Sequence, residues 1–361
     1  MLKSLLCLFV SSLCVTAPAH AGGDFLAYEE LRGVIDQLER DKVYAPGELD
    51  ALFAQVSRDE SVLKAIARPA EGTKEWKDYR PPFLSEERIQ KGVAFWRQHA
   101  DALARAEKTY GVPAEMIVAI IGVETKFGGN KGRNRVIDTL ATLGFDYPPR
   151  APFFRKELRE FLLLAKETGL DPLTTYGSYA GAMGYPQFMP SSWRNLAVDF
   201  DGDGKRDLID DPVDAIGSVA NYFKANGWQT GAPVVARARI VSQDYDGVLN
   251  KDLGTNSTLE QIARKGLIPR EPGAYLANMP ASALRLQGDH GGEFWLAFTN
   301  FYVITKYNRS VLYAMAAYQL SQEVKAAYLK TLQPGAPDAT PTPSAPATPP
   351  EAPVPADAPT A

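Results

Sequence analysis

The sequence predicts a mainly α-helical protein of the α+β class, and three observations carry that reading. Apolar residues recur at helical spacing, as in Leu31, Val34, Ile35 and Leu38 and again in Ile89, Val93, Trp96, Ala100 and Leu103. β-type composition is confined to a short region made of Val234–Val241, Ala283–Gln287 and Glu293–Phe298. A last helical stretch, from about Ser310 to Leu332, returns to the first pattern.

Taken in order, the chain opens on Met1-Leu-Lys3, an apolar run from Leu5 to Val15, and Ala19-His-Ala21. A positive start, a short apolar core and an Ala-x-Ala exit predict a secretory signal cut after Ala21. The run is too short for a permanent membrane anchor. Both cysteines, Cys7 and Cys14, fall inside it, so the mature chain is expected to carry no disulfide and no Cys-ligated metal. Leu13, bulky where a lipoprotein signal wants a small residue, argues against a lipid on Cys14. Cleavage removes Lys3 and no acid, taking the formal charge from −4 to −5. That mild acidity speaks against nucleic acid or an anionic membrane as partner. Only His99 and His290 remain, far apart, which leaves little for a zinc site or a Ser-His-Asp triad.

Residues 25–65 and 84–110 are expected to be helical, separated by a loop punctuated by Arg68-Pro69 and Arg80-Pro-Pro82 and holding Trp76 and Tyr79. The next helix runs from Pro113, suited to a first turn, to Gly128-Gly129, suited to a C-terminal cap. On it, Ile117, Ile120 and Ile121 share one face with Glu124. A carboxyl on an apolar stripe is partly desolvated, which raises its pKa and fits it to donate a proton to a leaving oxygen. The plainer alternative is a surface glutamate paired with Lys126 or Lys131. Further helices are expected around Phe153–Thr168 and Asp214–Asn226, and a hairpin turn at Gly288–Gly292. From Gln333 on, Pro, Ala and Thr predominate, a composition expected to be disordered.

Two more motifs carry chemistry. Asp199-Phe-Asp201-Gly-Asp203-Gly204-Lys205 places acids at positions one, three and five, Gly at six and a carbonyl donor at seven, as in an EF-hand calcium loop. Position twelve is Asp210 rather than the usual Glu, which suggests a structural clip and not a sensor; an acidic surface turn is the alternative. The run Tyr176-Gly-Ser178 to Met183-Gly-Tyr185-Pro-Gln187-Phe188 through Trp193 joins small residues that permit close approach to polar and aromatic groups that suit a sugar. Read alone, it fits a tight core turn equally well.

Together, Gly-Val-Glu124-Thr-Lys-Phe-Gly, the Ser178–Trp193 run, the Asp-rich loop and Asp211-Pro-Val-Asp214 through Tyr222 resemble the lytic murein transglycosylase B family, in order, from about Phe25 to Leu332. The resemblance implies a lysozyme-like helical core, a flanking helical domain built from both chain ends, and a small β domain. Mapped on this chain, it implies a signal over 1–21, helical-domain segments at 22–109 and 301–332, a catalytic core at 110–230, a β domain at 231–300 and a tail at 333–361. It implies cleavage of the β-1,4 bond between N-acetylmuramic acid and N-acetylglucosamine with 1,6-anhydromuramoyl ends, by Glu124 as sole acid/base. Ser178, Gln187, Phe188, Tyr222, Tyr79, Tyr307 and Asn308 would line the glycan groove. Asp199, Asp201, Asp203 and the carbonyl of Lys205 would hold a structural Ca2+, with no cofactor for catalysis. The family closes this loop with the residue matching Asp214, but one extra residue before Pro212 leaves the last ligand open between Asp210 and Asp214. Glycan strands are the implied partner, and other cell-wall enzymes a further one. Familiar members are outer-membrane lipoproteins; this chain's signal instead predicts a soluble periplasmic protein. A muramidase using Asp138 or Asp146 as second carboxylate, or a non-catalytic peptidoglycan-binding module, remains the alternative.

Overall fold

The computed structural model describes residues 23–68 and 74–333. The predicted signal with Cys7 and Cys14, and the tail beyond Gln333, lie outside the described residues. The chain divides into two compact units, one ending at Arg58 and the other beginning at Asp59.

In the first unit, α1 (Glu29–Arg40) buries Leu31, Ile35 and Leu38, and α2 (Glu48–Phe53) buries Leu49 and Phe53. The helical stretch expected over 25–65 is interrupted first after Arg40, where Lys42 turns left-handed at φ 57°, and again at Gly47, after Pro46, at φ 80°.

The second unit begins with α3 (Glu60–Ile66), α4 (Trp76–Tyr79), α5 (Glu86–Gln98), α6 (Ala100–Tyr110) and α7 (Ala114–Thr125). The predicted stripe through 84–110 is interrupted at His99, whose φ of −118° ends α5 and starts α6. Next come α8 (Val136–Asp146), α9 (Ala151–Thr168), α10 (Pro190–Leu196) and α11 (Pro212–Ala225). A short ladder pairs β1 (Asn134–Arg135) with β2 (Tyr176–Gly177).

The β region forms one antiparallel sheet of order β4–β6–β7–β3–β5, from β3 (Val235–Ile240), β4 (Ser257–Thr258), β5 (Leu267–Pro269), β6 (Pro280–Gly288) and β7 (Gly291–Phe298). Gly288 pairs with Gly291, so the hairpin turn is the two residues Asp289-His290, tighter than expected. A helix, α12 (Leu259–Arg264), closes its apolar face through Leu259 and Ile262, with a full Thr258–Gln261 capping box. The chain then returns to the helical core as α13 (Thr299–Tyr307) and α14 (Val311–Thr331). The sequence pattern missed α13 because Phe301-Tyr-Val-Ile-Thr305 is rich in aromatic and β-branched residues that favour strands.

At the centre lies α7, packed against α5, α6, α11 and α14. Every residue from Ala114 to Val123 is at least nine-tenths buried. The apolar stripe of the sequence is thus an entirely enclosed helix, and Glu124 is where it first meets partial exposure. Among the described residues, no helix is long and apolar enough to cross a membrane.

Candidate active site

The end of α7 is not capped by Gly128-Gly129 as the sequence suggested. Lys126 and Phe127 turn left-handed first, at φ 52° and 62°. The cause is packing. The Phe127 ring lies where a Cβ on Gly122 would come within 2.5 Å of it and one on Gly92 within 3.1 Å. Thr125 fixes the turn, accepting from the Gly128 amide at 3.0 Å and donating to the Tyr185 carbonyl at 3.1 Å. Glu124 is therefore presented by a rigid helix whose neighbours on both sides are anchored.

The Tyr313 hydroxyl of α14 donates to Glu124 Oε1 at 2.5 Å. Burial, then the Glu124 charge, pushes the Tyr313 phenol well above its ordinary range, so it remains a donor. Tyr222 and Tyr307 are shifted upward for the same two reasons, which puts both in electrostatic reach of Glu124. The sequence reading missed Tyr313: it lies in an apolar run, where a tyrosine looks like ordinary core.

The predicted aromatic residues do assemble. The Phe188 ring lies 5.5 Å from Tyr222 and 5.9 Å from Tyr307, and Tyr222 lies 4.7 Å from Tyr307. Tyr222 donates its hydroxyl to the Lys306 carbonyl at 2.6 Å and Tyr307 to the Pro186 carbonyl at 2.5 Å. Their polar ends are thus tethered. Tyr79 is buried, stacked on Phe83 at 5.0 Å, and its charge would act on Tyr313. Asn308 is buried, and its Oδ1 finds no partner among the described residues. A buried amide oxygen without a donor costs free energy unless a ligand supplies one.

Ser178 Oγ accepts from the amides of Ala180 and Ala182 at 3.3 and 3.1 Å, which leaves its own proton to donate. Gln187 is held at φ 50°, and its Nε2 donates to the Gly184 and Lys131 carbonyls at 2.9 and 3.3 Å. Its amide nitrogen thus braces two loops, and its Oε1 is the atom suited to a ligand. Asp138 accepts two hydrogen bonds from Arg135, at 2.6 and 2.7 Å, and is spent on that pair. Asp146 closes α8 as its last residue.

In the acidic loop, carboxylate oxygens of Asp199, Asp201 and Asp203 lie within 4.8 Å of one another, all three exposed. Backbone amides organise them: Asp199 accepts from Gly202 and Gly204, Asp201 from Asp203, and Asp203 from Lys205. A second group joins Asp201 with Asp211 and Asp214. Asp214 is 1 % exposed and accepts from the amides of Phe200, Asp201 and Asp207. Asp210 stands apart, 3.4 Å from Lys131 Nζ, so of the two residues left open by the sequence only Asp214 joins the cluster. The sequence reading passed over Asp211, which caps α11 through the amides of Val213 and Asp214. An all-oxygen donor set of several carboxylates fits a hard divalent cation such as Ca2+.

The family described as "Transglycosylase SLT domain" matches residues 27–322. The chain belongs to that family. It is similar to membrane-bound lytic murein transglycosylase B of Escherichia coli (strain K12), 45% identical over 316 residues covering 85% of each chain. Among solved structures it is similar to catenated lytic transglycosylase SltB1 of Pseudomonas aeruginosa, with 53% identity, a TM-score of 0.81 and coverage of 84% of this chain and 100% of the other. It is also similar to the E. coli lytic transglycosylase Slt35 solved with calcium, at 44% identity and TM-score 0.77, covering 86% and 97%. SltB3 of P. aeruginosa, solved with NAG-NAM-pentapeptide, is 33% identical at TM-score 0.73, covering 82% and 79%. The chain is accordingly a lytic transglycosylase with the mainly α, lysozyme-like fold of these enzymes.

Proposed function

We propose that this enzyme cleaves peptidoglycan glycan strands with Glu124 as its single acid and base. The observation that supports this most directly is the placement of Glu124 at the rim of a buried helix, with Tyr313 donating to Oε1 at 2.5 Å. In this reading neutral Glu124 carries its proton on Oε2 and passes it to the glycosidic oxygen between N-acetylmuramic acid and N-acetylglucosamine. The muramoyl N-acetyl oxygen attacks C1 as the bond breaks, taking the place of an enzyme nucleophile. Anionic Glu124 then removes the proton from the C6 hydroxyl, whose oxygen forms the new bond to C1 and releases the acetamido group. No water enters, and the product ends in a 1,6-anhydro ring.

Ser178 and Asn308 have the right chemistry to hold that N-acetyl group, one as donor and one as acceptor. Phe188, Tyr222 and Tyr307 offer ring faces to the sugars, with Tyr79 and Gln187 Oε1 completing the groove. Asp199, Asp201, Asp203, the Lys205 carbonyl and Asp214 are the proposed calcium ligands. Calcium, when bound, offsets the charge of the carboxylates; the chemistry is assigned to Glu124 alone. We further propose the domain limits that the sequence implies, a catalytic core over 110–230 and a β domain over 231–300, and export to the periplasm. N-terminal sequencing of the exported protein checks the last point: a start at Gly22 supports it and a lipid-bearing Cys14 refutes it.

Mass spectrometry of the products from purified sacculi tests the reaction. Anhydro ends are expected. Reducing ends would make the protein a hydrolase, and no release would make it a binding module.

A further inference from the structure

The turn that carries Gln187 is held in a conformation a glutamine does not favour. Gln187 stands at φ 50°, in the left-handed region, and its amide donates back to the Gly184 carbonyl at 3.2 Å. A residue with a side chain costs free energy there and persists where its surroundings over-determine it. Three neighbours supply part of that constraint. The hydroxyl of Thr125, the residue after Glu124, donates to the Tyr185 carbonyl at 3.1 Å, and the Tyr307 hydroxyl donates to the Pro186 carbonyl at 2.5 Å. The Tyr185 amide donates to the Leu208 carbonyl at 2.8 Å, an approach so close that a Cβ on Gly184 would lie 2.2 Å from that oxygen.

Lys131 adds a further brace, and it does so with both ends. Its carbonyl accepts from Gln187 Nε2 at 3.3 Å. Its ammonium donates to the Ile209 carbonyl at 2.5 Å, and lies 5.0 Å from the centre of the Tyr185 ring and 3.4 Å from Asp210. A cation over an aromatic face adds attraction to the hydrogen bond. The next residue, Gly132, takes φ 96° and abuts the strand before Ser178: a Cβ there would lie 2.0 Å from the Gly177 carbonyl. Gly132 thus fixes this segment against the Ser178 side of the site, and the ammonium ties it to Ile209 and Tyr185.

We infer that Lys131 is a positioning residue for the glycan groove, tethering the turn so that Gln187 gives its amide nitrogen to the protein and keeps Oε1 for a sugar hydroxyl or acetamido N–H. This rests on the reading of Gln187 as a groove residue. A contact made alike in the ground and transition states shows in KM and not in kcat.

The test measures kcat and KM on soluble peptidoglycan glycan strands. Lys131→Met, which keeps most of the stem and loses the ammonium, should raise KM about threefold to tenfold, the worth of one sugar hydrogen bond, with kcat nearly unchanged. Gln187→Ala should do the same. The double variant should be no weaker than Gln187→Ala alone, because both changes remove one interaction. Lys131→Arg, which can donate to the same carbonyl, should recover the wild-type KM. A variant that is merely less stable loses active protein but keeps its KM, so a structural role leaves this readout unmoved. A wild-type KM in Lys131→Met, effects that multiply in the double variant, or an arginine variant as weak as the methionine one overturns the inference and leaves the role of Gln187 standing. A wild-type KM in Gln187→Ala overturns both.

Discussion

Glu124 and Glu157 are both glutamates on helices of the same unit, and their surroundings differ. Glu157, on α9, is 2 % exposed, and both its oxygens are taken by Ser191, from the amide at 2.9 Å and the hydroxyl at 2.7 Å. It thereby satisfies the exposed amide end of α10. Burial pushes its carboxyl above the ordinary value, although the Ser191 hydrogen bonds pull the other way. Asp214 is a second case, sealed by three backbone amides. Glu124 is different. It is half-buried, the Tyr313 phenol donates to it, and the tethered rings of Tyr222 and Tyr307 lie within electrostatic reach. A desolvated carboxyl is therefore not in itself a reactive one; under the proposed function, partial exposure beside groups suited to a sugar separates the two.

The largest expected effect comes from removing the acid. Glu124→Gln should leave the circular dichroism spectrum unchanged and lower turnover by about 10²–10⁴-fold, the usual worth of acid/base assistance. Near-normal product formation by a folded variant would erase the distinction between the two glutamates. Tyr313→Phe probes the same site more gently. Deleting the hydroxyl removes one hydrogen bond to a charged group, for which a fall in kcat of about tenfold is expected. If kcat is unchanged while Tm falls, Tyr313 is core packing and does not orient Glu124.

This comparison also shows where the sequence was readable. Glu124 drew attention because Ile117, Ile120 and Ile121 share its face, yet Phe153, Phe154 and Phe161 share the face of Glu157 in the same manner. Periodicity marks both as desolvated and cannot say which one a ligand reaches. The family motifs around Glu124 made that choice. The three-acid start of the acidic loop was legible because one EF-hand spacing lies within a few residues. Which later acid lies beside it was not, since one insertion shifts the register and only the fold brings Asp214 beside Asp201. Tyr313 was illegible for a related reason: it is 189 residues from Glu124 in the chain, and no local pattern encodes a contact of that range. The breaks at Lys42 and Gly47 escaped because apolar residues continue on either side of them.

The acidic loop extends the comparison to carboxylates proposed to hold a cation. With calcium at about one hundred times its dissociation constant, the native state gains about 2.7 kcal/mol by mass action. That corresponds to a rise in Tm of several degrees relative to protein in chelator, at roughly 2–4 °C per kcal/mol for a unit of this size. Asp201→Ala combined with Asp203→Ala should abolish the difference. Equal melting temperatures with and without metal, once its removal has been verified, would mean that the loop is held by its own amide hydrogen bonds.

The smallest effect should come from Glu157, and it concerns pH dependence more than size. Its folded carboxyl titrates above the ordinary 4.5 because burial disfavours the anion. A group raised in this way stabilises the fold most where it is protonated, below its unfolded pKa. That contribution is lost as pH rises through the folded value. Glu157→Gln removes the titration and keeps nearly the same shape. Its oxygen can still accept from the Ser191 amide, and its NH2 can donate to the Ser191 hydroxyl after that group turns. The Tm difference between variant and wild type should therefore move in favour of the variant as pH rises above about 4.5, by a few degrees at most. Glu124→Gln run through the same pH series supplies the contrast that matters, because its losses should appear in turnover and not in Tm. A Glu157→Gln variant whose Tm tracks wild type at every pH would show that Ser191 fully offsets the burial. The two glutamates would then differ only in access, not in how burial affects their charge.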